Sequence, residues 1–175
     1  MALHIVSEAN RCLQCKKPLC QQGCPVHTPI PQMIALFKEN RMMEAGKALF
    51  ANNPMSLVCA IVCDHEAQCT GHCVLNHKGQ PVHFYEIEEF VSDAYLDRMT
   101  ADRKPFNGKT AAVIGSGPAG MTVAFILAWS GYGVTIFEEK DRIGGMLQYG
   151  IPDFRLPKSI LDRYKQRLLD IGVRI

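Results

Sequence analysis

Apolar positions recur at helical spacing through the first hundred residues of this chain and switch to short, strand-like runs only afterwards. Thr28-Pro29-Ile30-Pro31 is expected to open a helix, with Thr28 as its cap and a proline in the first turn, where the missing N–H costs nothing. Met33, Ile34, Phe37, Met42 and Met43 give that region a broken apolar face. A second helix is predicted from Met43 to Ala51, closed by Asn52-Asn53-Pro54, and the apolar stretch 54–63 is predicted to be helical as well. The methionines are assigned to core filling, which suits their flexible side chains. After a turn at Lys78-Gly79-Gln80-Pro81, a longer helix is predicted from about His83 to Met99. Ile87, Phe90, Val91, Ala94 and Tyr95 form its buried stripe at i, i+3, i+4, i+7, i+8. Glu86, Glu88 and Glu89 near its start place negative charge at the positive end of the helix.

The stretch 97–109 carries charges, Pro105 and Asn107-Gly108, and marks a linker. Beyond it Thr110-Ala111-Ala112-Val113-Ile114 is a strand of the parallel, buried kind. A helix to about Trp129 follows, then a turn at Gly131-Tyr132-Gly133 and a second strand, Val134-Thr135-Ile136-Phe137. A last helix is predicted from about Lys158 to Asp170, with a strand beginning at Gly172-Val173-Arg174-Ile175. The pattern divides the chain into a mainly α domain, 1–104, and part of an α/β domain, 105–175.

Composition narrows the function. A net charge of +2, from 19 basic and 17 acidic residues, is far from the excess that nucleic-acid binding requires. No apolar run is long enough to cross a membrane. Met1 to Asn10 has no basic start leading into an apolar run, so a cytoplasmic, reducing location is expected. All eight cysteines fall in two groups: Cys12, Cys15, Cys20 and Cys24, followed by Pro25, and then Cys59, Cys63, Cys69 and Cys73. A disulfide framework fits poorly in a reducing compartment. Zinc sites are usually built from paired CxxC knuckles, and only Cys12 and Cys15 form one. Two [4Fe–4S] clusters fit best, because thiolates are soft ligands and a run ending in Cys-Pro resembles ferredoxin loops. The six histidines have no regular ligand spacing and are assigned to the surface or to supporting positions.

The first strand runs directly into Gly115-Ser116-Gly117-Pro118-Ala119-Gly120. A strand before this loop, a helix after it and an acid about twenty residues on make it a dinucleotide-binding fingerprint. Gly115 permits the tight turn, Gly117 lets the backbone approach a pyrophosphate, and Gly120 lets helix pack on strand. The helix N-terminus offers N–H groups to the phosphates. Glu138 is the candidate for the ribose hydroxyls, favoured over Glu139 by alternation along the strand.

These motifs, together with Ile143-Gly144-Gly145-Met146 and Tyr149-Gly150-Ile151-Pro152-Asp153-Phe154-Arg155-Leu156-Pro157-Lys158, resemble the glutamate synthase small (β) subunit family. They are similar also to the N-terminal half of dihydropyrimidine dehydrogenase and to related NAD(P)H-dependent flavin and iron–sulfur oxidoreductases. The resemblance covers essentially the whole chain. It implies a helical domain with two [4Fe–4S] clusters and a Rossmann-type FAD-binding domain. Electrons would enter from NAD(P)H and leave one at a time to a partner, such as a large catalytic subunit.

The resemblance also implies ligand sets. Cys12, Cys15, Cys20 and Cys73 would hold one cluster. Cys24, Cys63 and Cys69 would hold the other, with Glu88 in place of a fourth thiolate and Cys59 left over. The residues read by themselves leave two Cys₄ sites open. Val62, Gly115, Ser116, Gly117, Pro118, Ala119, Gly120, Glu138, Gly144, Gly145, Met146 and Arg155 would line the FAD site. The chain stops partway into the flavin domain of that family, and no second fingerprint for the pyridine nucleotide is present. It is therefore expected to depend on the remainder of a flavoprotein, in cis or in trans, for NAD(P)H oxidation. A non-enzymatic electron-transfer or docking subunit is the alternative class, and no catalytic acid, base or nucleophile is identifiable.

Overall fold

A computed structural model describes residues 2–175, with side chains from His4 onward. Two compact units result, one ending at Arg98 and one running from Met99 to Ile175.

The first unit is helical: α1 (Ala2–Asn10), α2 (Leu19–Gln22), α3 (Ile30–Lys38), α4 (Met42–Asn52), α5 (Ser56–Val62), a 3₁₀ turn (Val74–Lys78) and α6 (Phe84–Arg98). α6 is the axis on which α1, α3, α4 and α5 pack. The core between them is filled by Met33, Ile34, Leu49, Phe50 and Leu57. Met43, by contrast, lies at the surface. Glu8 ties α1 to the start of α6: it takes both oxygens' worth of hydrogen bonds from Arg11, at 2.8 and 2.9 Å, and the His83 N–H at 2.6 Å.

Two sequence expectations are corrected here. Thr28 does not cap α3; Pro29 holds the cap position without a side-chain bond, and the Thr28 hydroxyl sits 3.3 Å from Cys24 Sγ. The inward stripe of α6 is Phe84, Ile87, Glu88, Val91, Ser92 and Leu96, whereas Phe90, Ala94 and Tyr95 are only half-buried. A buried carboxyl is costly unless hydrogen-bonded. Ser56 on α5 and Ser92 on α6 supply the partners, so two polar positions belong to the buried face.

In the second unit β1 (Thr110–Ile114), α7 (Pro118–Trp129) and β2 (Gly133–Phe137) form a strand–helix–strand unit, followed by α8 (Met146–Tyr149) and α9 (Lys158–Asp170). The strands are parallel, with Thr110 opposite Gly133 and Ile114 opposite Phe137. α7 and α9 meet through Phe125 and Tyr164, whose rings lie 6.1 Å apart and nearly perpendicular. The expected third strand is reduced to one parallel bridge between Arg174 and Thr135 on the outer edge of β2. β1 is parallel as expected but not buried: only Val113 is enclosed, and Ile114 is 82% exposed. Burial of such a strand needs a neighbour on its far edge, and among the described residues the sheet has two strands. No helix among them is long and apolar enough to cross a membrane.

α4 and α6 pack closely at Gly46, where an added Cβ would lie 2.4 Å from Tyr95 Cβ. Gly46→Ala gains about 1 kcal/mol of helix propensity, but overpacking typically costs about 1–3 kcal/mol. A net loss of stability is expected, larger for Gly46→Val, read as a lower denaturant midpoint by circular dichroism. An unchanged midpoint in both variants would show that the helices part freely.

Candidate functional site

The first cysteine loop winds around the short helix α2, and the second runs from the end of α5 into the 3₁₀ turn. All eight cysteines are free thiols. Neither group stays whole. Cys12, Cys15 and Cys20 line one cavity with Cys73, and Cys69 forms part of its wall. Cys24, Cys59, Cys63, Cys69 and Glu88 line a second, roomier cavity.

Electrostatics divides the groups the same way. Burial pushes the Cys20 thiol up to about 12, and Cys73, Cys12 and Cys15 add to the shift. Cys12 is raised by burial, with Cys15 and Cys73 adding. Burial likewise pushes Cys69 up to about 11, but its charged neighbours are Glu88 and Cys24. Cys63 is lowered by its hydrogen bond with Cys59, against opposition from burial, Glu88, Cys24 and Cys69.

Among the described residues no three such side chains meet at one point as a single ion would need. The donors are instead spaced around each cavity. Soft thiolates ringing a cavity walled by Ile30, Ile34 and Phe84 fit an iron–sulfur cluster, each of whose irons takes its own ligand. Hydrogen-bond donors also reach the sulfurs: Gln14 to Cys12 at 3.5 Å, the Val82 N–H to Cys73 at 3.5 Å, and Asn53 to Cys59 at 3.2 Å.

Glu88 and Cys59 border the same cavity. Glu88 is 5% exposed, and burial pushes its carboxyl up to about 8 against the hydrogen bond from Ser56. That bond, Ser56 Oγ to Oε1, is 2.6 Å long, and Ser92 Oγ donates to Ser56 Oγ at 3.1 Å. Cys59 is driven up by its hydrogen bond with Cys63, and burial adds to the shift. His65 bonds the Cys59 carbonyl at 3.1 Å and stacks on Tyr85 at 4.3 Å. Sequence reasoning missed these roles of Thr28, Asn53, Ser56 and Ser92, and placed His65 only among histidines at the surface or in supporting positions. The one available signal was two polar residues, 88 and 92, four apart on an otherwise apolar face.

In the second unit Gly115 turns the chain out of β1 at φ 88°. Gly117 is different: its φ of −64° and ψ of 179° suit any residue, and an added Cβ would meet nothing within 4 Å. The protein's own packing does not require glycine there. It leaves open a cradle that a side chain would fill, as the approach of a pyrophosphate demands. At Gly120 an added Cβ would lie 2.1 Å from the Gly115 carbonyl oxygen, and at Gly145 it would lie 2.9 Å from Gly117 Cα. The two glycine turns are therefore in contact.

Ser116 holds them together. Fully buried, it accepts the Gly144 N–H on its carbonyl oxygen at 2.9 Å and on its hydroxyl at 3.3 Å. Its own N–H donates to Glu138 Oε2 at 2.8 Å, and its hydroxyl donates to the same oxygen. These bonds hold the Glu138 carboxyl below the usual carboxylate range. Pro118 and Ala119 begin α7. Met146 is 71% exposed at the start of α8, and Arg155 lies at the surface in the turn that follows. Val62 ends α5 in the first unit, beside Cys63.

Residues 2–100 match the family model described as dihydropyrimidine dehydrogenase domain II, 4Fe-4S cluster. Residues 113–172 match an NAD(P)-binding Rossmann-like domain. The chain is 38% identical over 170 residues to the glutamate synthase (NADPH) small chain of Azospirillum brasilense, covering 95% of this chain and 35% of that one. It is 40% identical over 168 residues to the same protein of Mycobacterium tuberculosis, covering 94% and 34%. To the NAD-dependent dihydropyrimidine dehydrogenase subunit PreT of Salmonella typhimurium it is 35% identical over 175 residues, covering 97% and 42%. The chain thus spans between about a third and two fifths of these relatives' lengths.

The division of the cysteines is open to direct test. In anaerobically purified, reduced protein, Cys20→Ser and Cys63→Ser are expected to abolish or alter different electron paramagnetic resonance signals. Loss of the same signal in both variants would refute the division into two cavities.

Proposed function

This chain belongs to the dihydropyrimidine dehydrogenase domain II, 4Fe-4S cluster family, and from that premise we propose that it is an electron-relay module. The parent enzyme is an NAD(P)H-dependent flavin and iron–sulfur oxidoreductase of the glutamate synthase small-subunit kind. The observation that supports this reading is that Cys73 lines a cavity with Cys12, Cys15 and Cys20, whereas Cys24 lines one with Cys59, Cys63 and Glu88, Cys69 bordering both. Cys12, Cys15, Cys20 and Cys73 hold one [4Fe–4S] cluster. Cys24, Cys63, Cys69 and Glu88 hold the other. Bound FAD would exchange electron pairs with a nicotinamide, and the clusters would carry single electrons.

The chain's own residues do the rest. Apolar side chains line the cavity of the first ligand set, and the donors from Gln14 and Val82 offset negative charge on its sulfurs. Gly115, Gly117 and Gly120 shape the phosphate loop, Ser116, Pro118 and Ala119 complete it, and α7 directs N–H groups to the phosphates. Glu138 keeps lone pairs beyond those used by Ser116 and can accept from ribose hydroxyls. Gly144, Gly145, Met146, Arg155 and Val62 complete the FAD site as the family resemblance implies. The one fingerprint is assigned to FAD, so hydride entry uses a second nucleotide site in cis or in trans. A large catalytic subunit is the electron acceptor. The likeness to the Salmonella protein supports a second reading in which the relay is the same and the acceptor is a pyrimidine-reducing subunit.

Anaerobically purified protein should be brown, with about eight irons and eight sulfides per chain, and should retain FAD. Colourless protein with stoichiometric zinc would sink the cluster assignment. Because the space at Gly117 is empty, Gly117→Val is expected to fold and keep its iron while losing flavin. Full FAD retention by that variant would count against the loop as the flavin site.

A further inference from the structure

We propose that Ser56 is a positioning residue for Glu88: oriented by Ser92, its hydroxyl fixes one carboxylate oxygen and leaves the other for the cavity of Cys24, Cys63 and Cys69. The proposal rests on the reading of Glu88 as a cluster ligand. Three buried groups carry it. Ser92 is 0%, Ser56 1% and Glu88 5% exposed, so no solvent competes for their hydrogen bonds. Ser92 donates to Ser56 Oγ at 3.1 Å, and Ser56 donates to Glu88 Oε1 at 2.6 Å. With its oxygen already accepting from Ser92, the Ser56 hydroxyl sends its own proton to the carboxylate. Among the described residues no other hydrogen bond reaches the Glu88 carboxyl.

The arrangement follows from the helices. Glu88 and Ser92 are four apart on α6 and therefore share a face. Ser56 begins α5, the helix that packs on that face and delivers Cys63 from its other end. One element thus supplies a ligand thiol and aims the ligand carboxylate. A free carboxylate can bind through one oxygen or both. A short, charge-assisted bond to Oε1 selects binding through Oε2. It also withdraws negative charge from the ligand, which favours the reduced and more negative state of the centre.

A serine that merely satisfied a buried carboxyl would change stability and leave the potential alone. The test therefore measures potentials by redox titration, followed by electron paramagnetic resonance, on protein purified anaerobically with its clusters. Ser56→Ala should make reduction of one cluster less favourable by on the order of tenfold, equivalent to about 59 mV for one electron, without changing the other. Ser92→Ala should shift the same cluster in the same direction by less, and Ser56→Thr, which keeps the hydroxyl, should restore the original potential. If Glu88→Ala alters a cluster while Ser56→Ala leaves its potential unchanged, the positioning role is overturned. Should Ser56→Ala fail to fold, the potential of Ser92→Ala decides, and no shift there overturns the proposal. If Glu88→Ala changes neither cluster and Cys59→Ser removes one, the ligand reading itself has failed, an outcome distinct from the others.

Discussion

Crowded thiolates repel, and the first unit is built around that constraint. Cys20 feels Cys73, Cys12 and Cys15, while Cys63 feels Glu88, Cys24 and Cys69. At Cys20 and Cys69 burial is the largest part of the cost of charging, and the neighbouring acidic groups add to it. Helices α3, α5 and α6 can close around such cavities either with the thiols protonated or with a cationic centre among them. On the proposed reading the second state is the working one, and metal binding becomes part of the folding free energy. The short α2 and the 3₁₀ turn bury too little apolar surface to hold their shape unaided.

How much of this was legible in the sequence depended on whether the signal was local. The bounds of β1, α7 and α9 follow from glycine and proline punctuation at Gly115, Pro118 and Pro157, which acts through the backbone of those residues themselves. The partition of the cysteines is not local: spacing by itself leaves two intact quartets as an open solution, and family resemblance was needed to imply the exchange. Thr28 carries a valid capping signal, yet its hydroxyl is taken up by Cys24, a partner that only the fold brings near. Ser56 and Ser92 look like ordinary surface residues until α5 meets α6.

The glycines of the second unit separate two kinds of requirement. Gly120 and Gly145 are needed by the protein, since a side chain at either would strike backbone. Gly117 has neither a backbone nor a packing reason to be glycine. Ser116 links these demands by joining the phosphate loop, the second glycine turn and Glu138 through one buried side chain. Rigidity of the loop and placement of the acid are thereby set together, which would suit the adenosine diphosphate of the proposed flavin.

The exchange of cysteines also has a consequence for how the protein is made. Cys12 cannot find Cys73 until 61 further residues have been synthesised, which takes a ribosome roughly 3–12 s at about 5–20 residues per second. Cys24 waits similarly for Cys63 and Cys69. On the proposed reading both ligand sets acquire their last thiols within the same stretch, 63–73, so the nascent chain has no stage with one complete thiol set and the other barely begun. On that reading, delivery of iron and sulfide would come late, to a chain whose early thiols have stood unprotected in the meantime. Biogenesis in air would therefore tax the first loop well before any electron is carried.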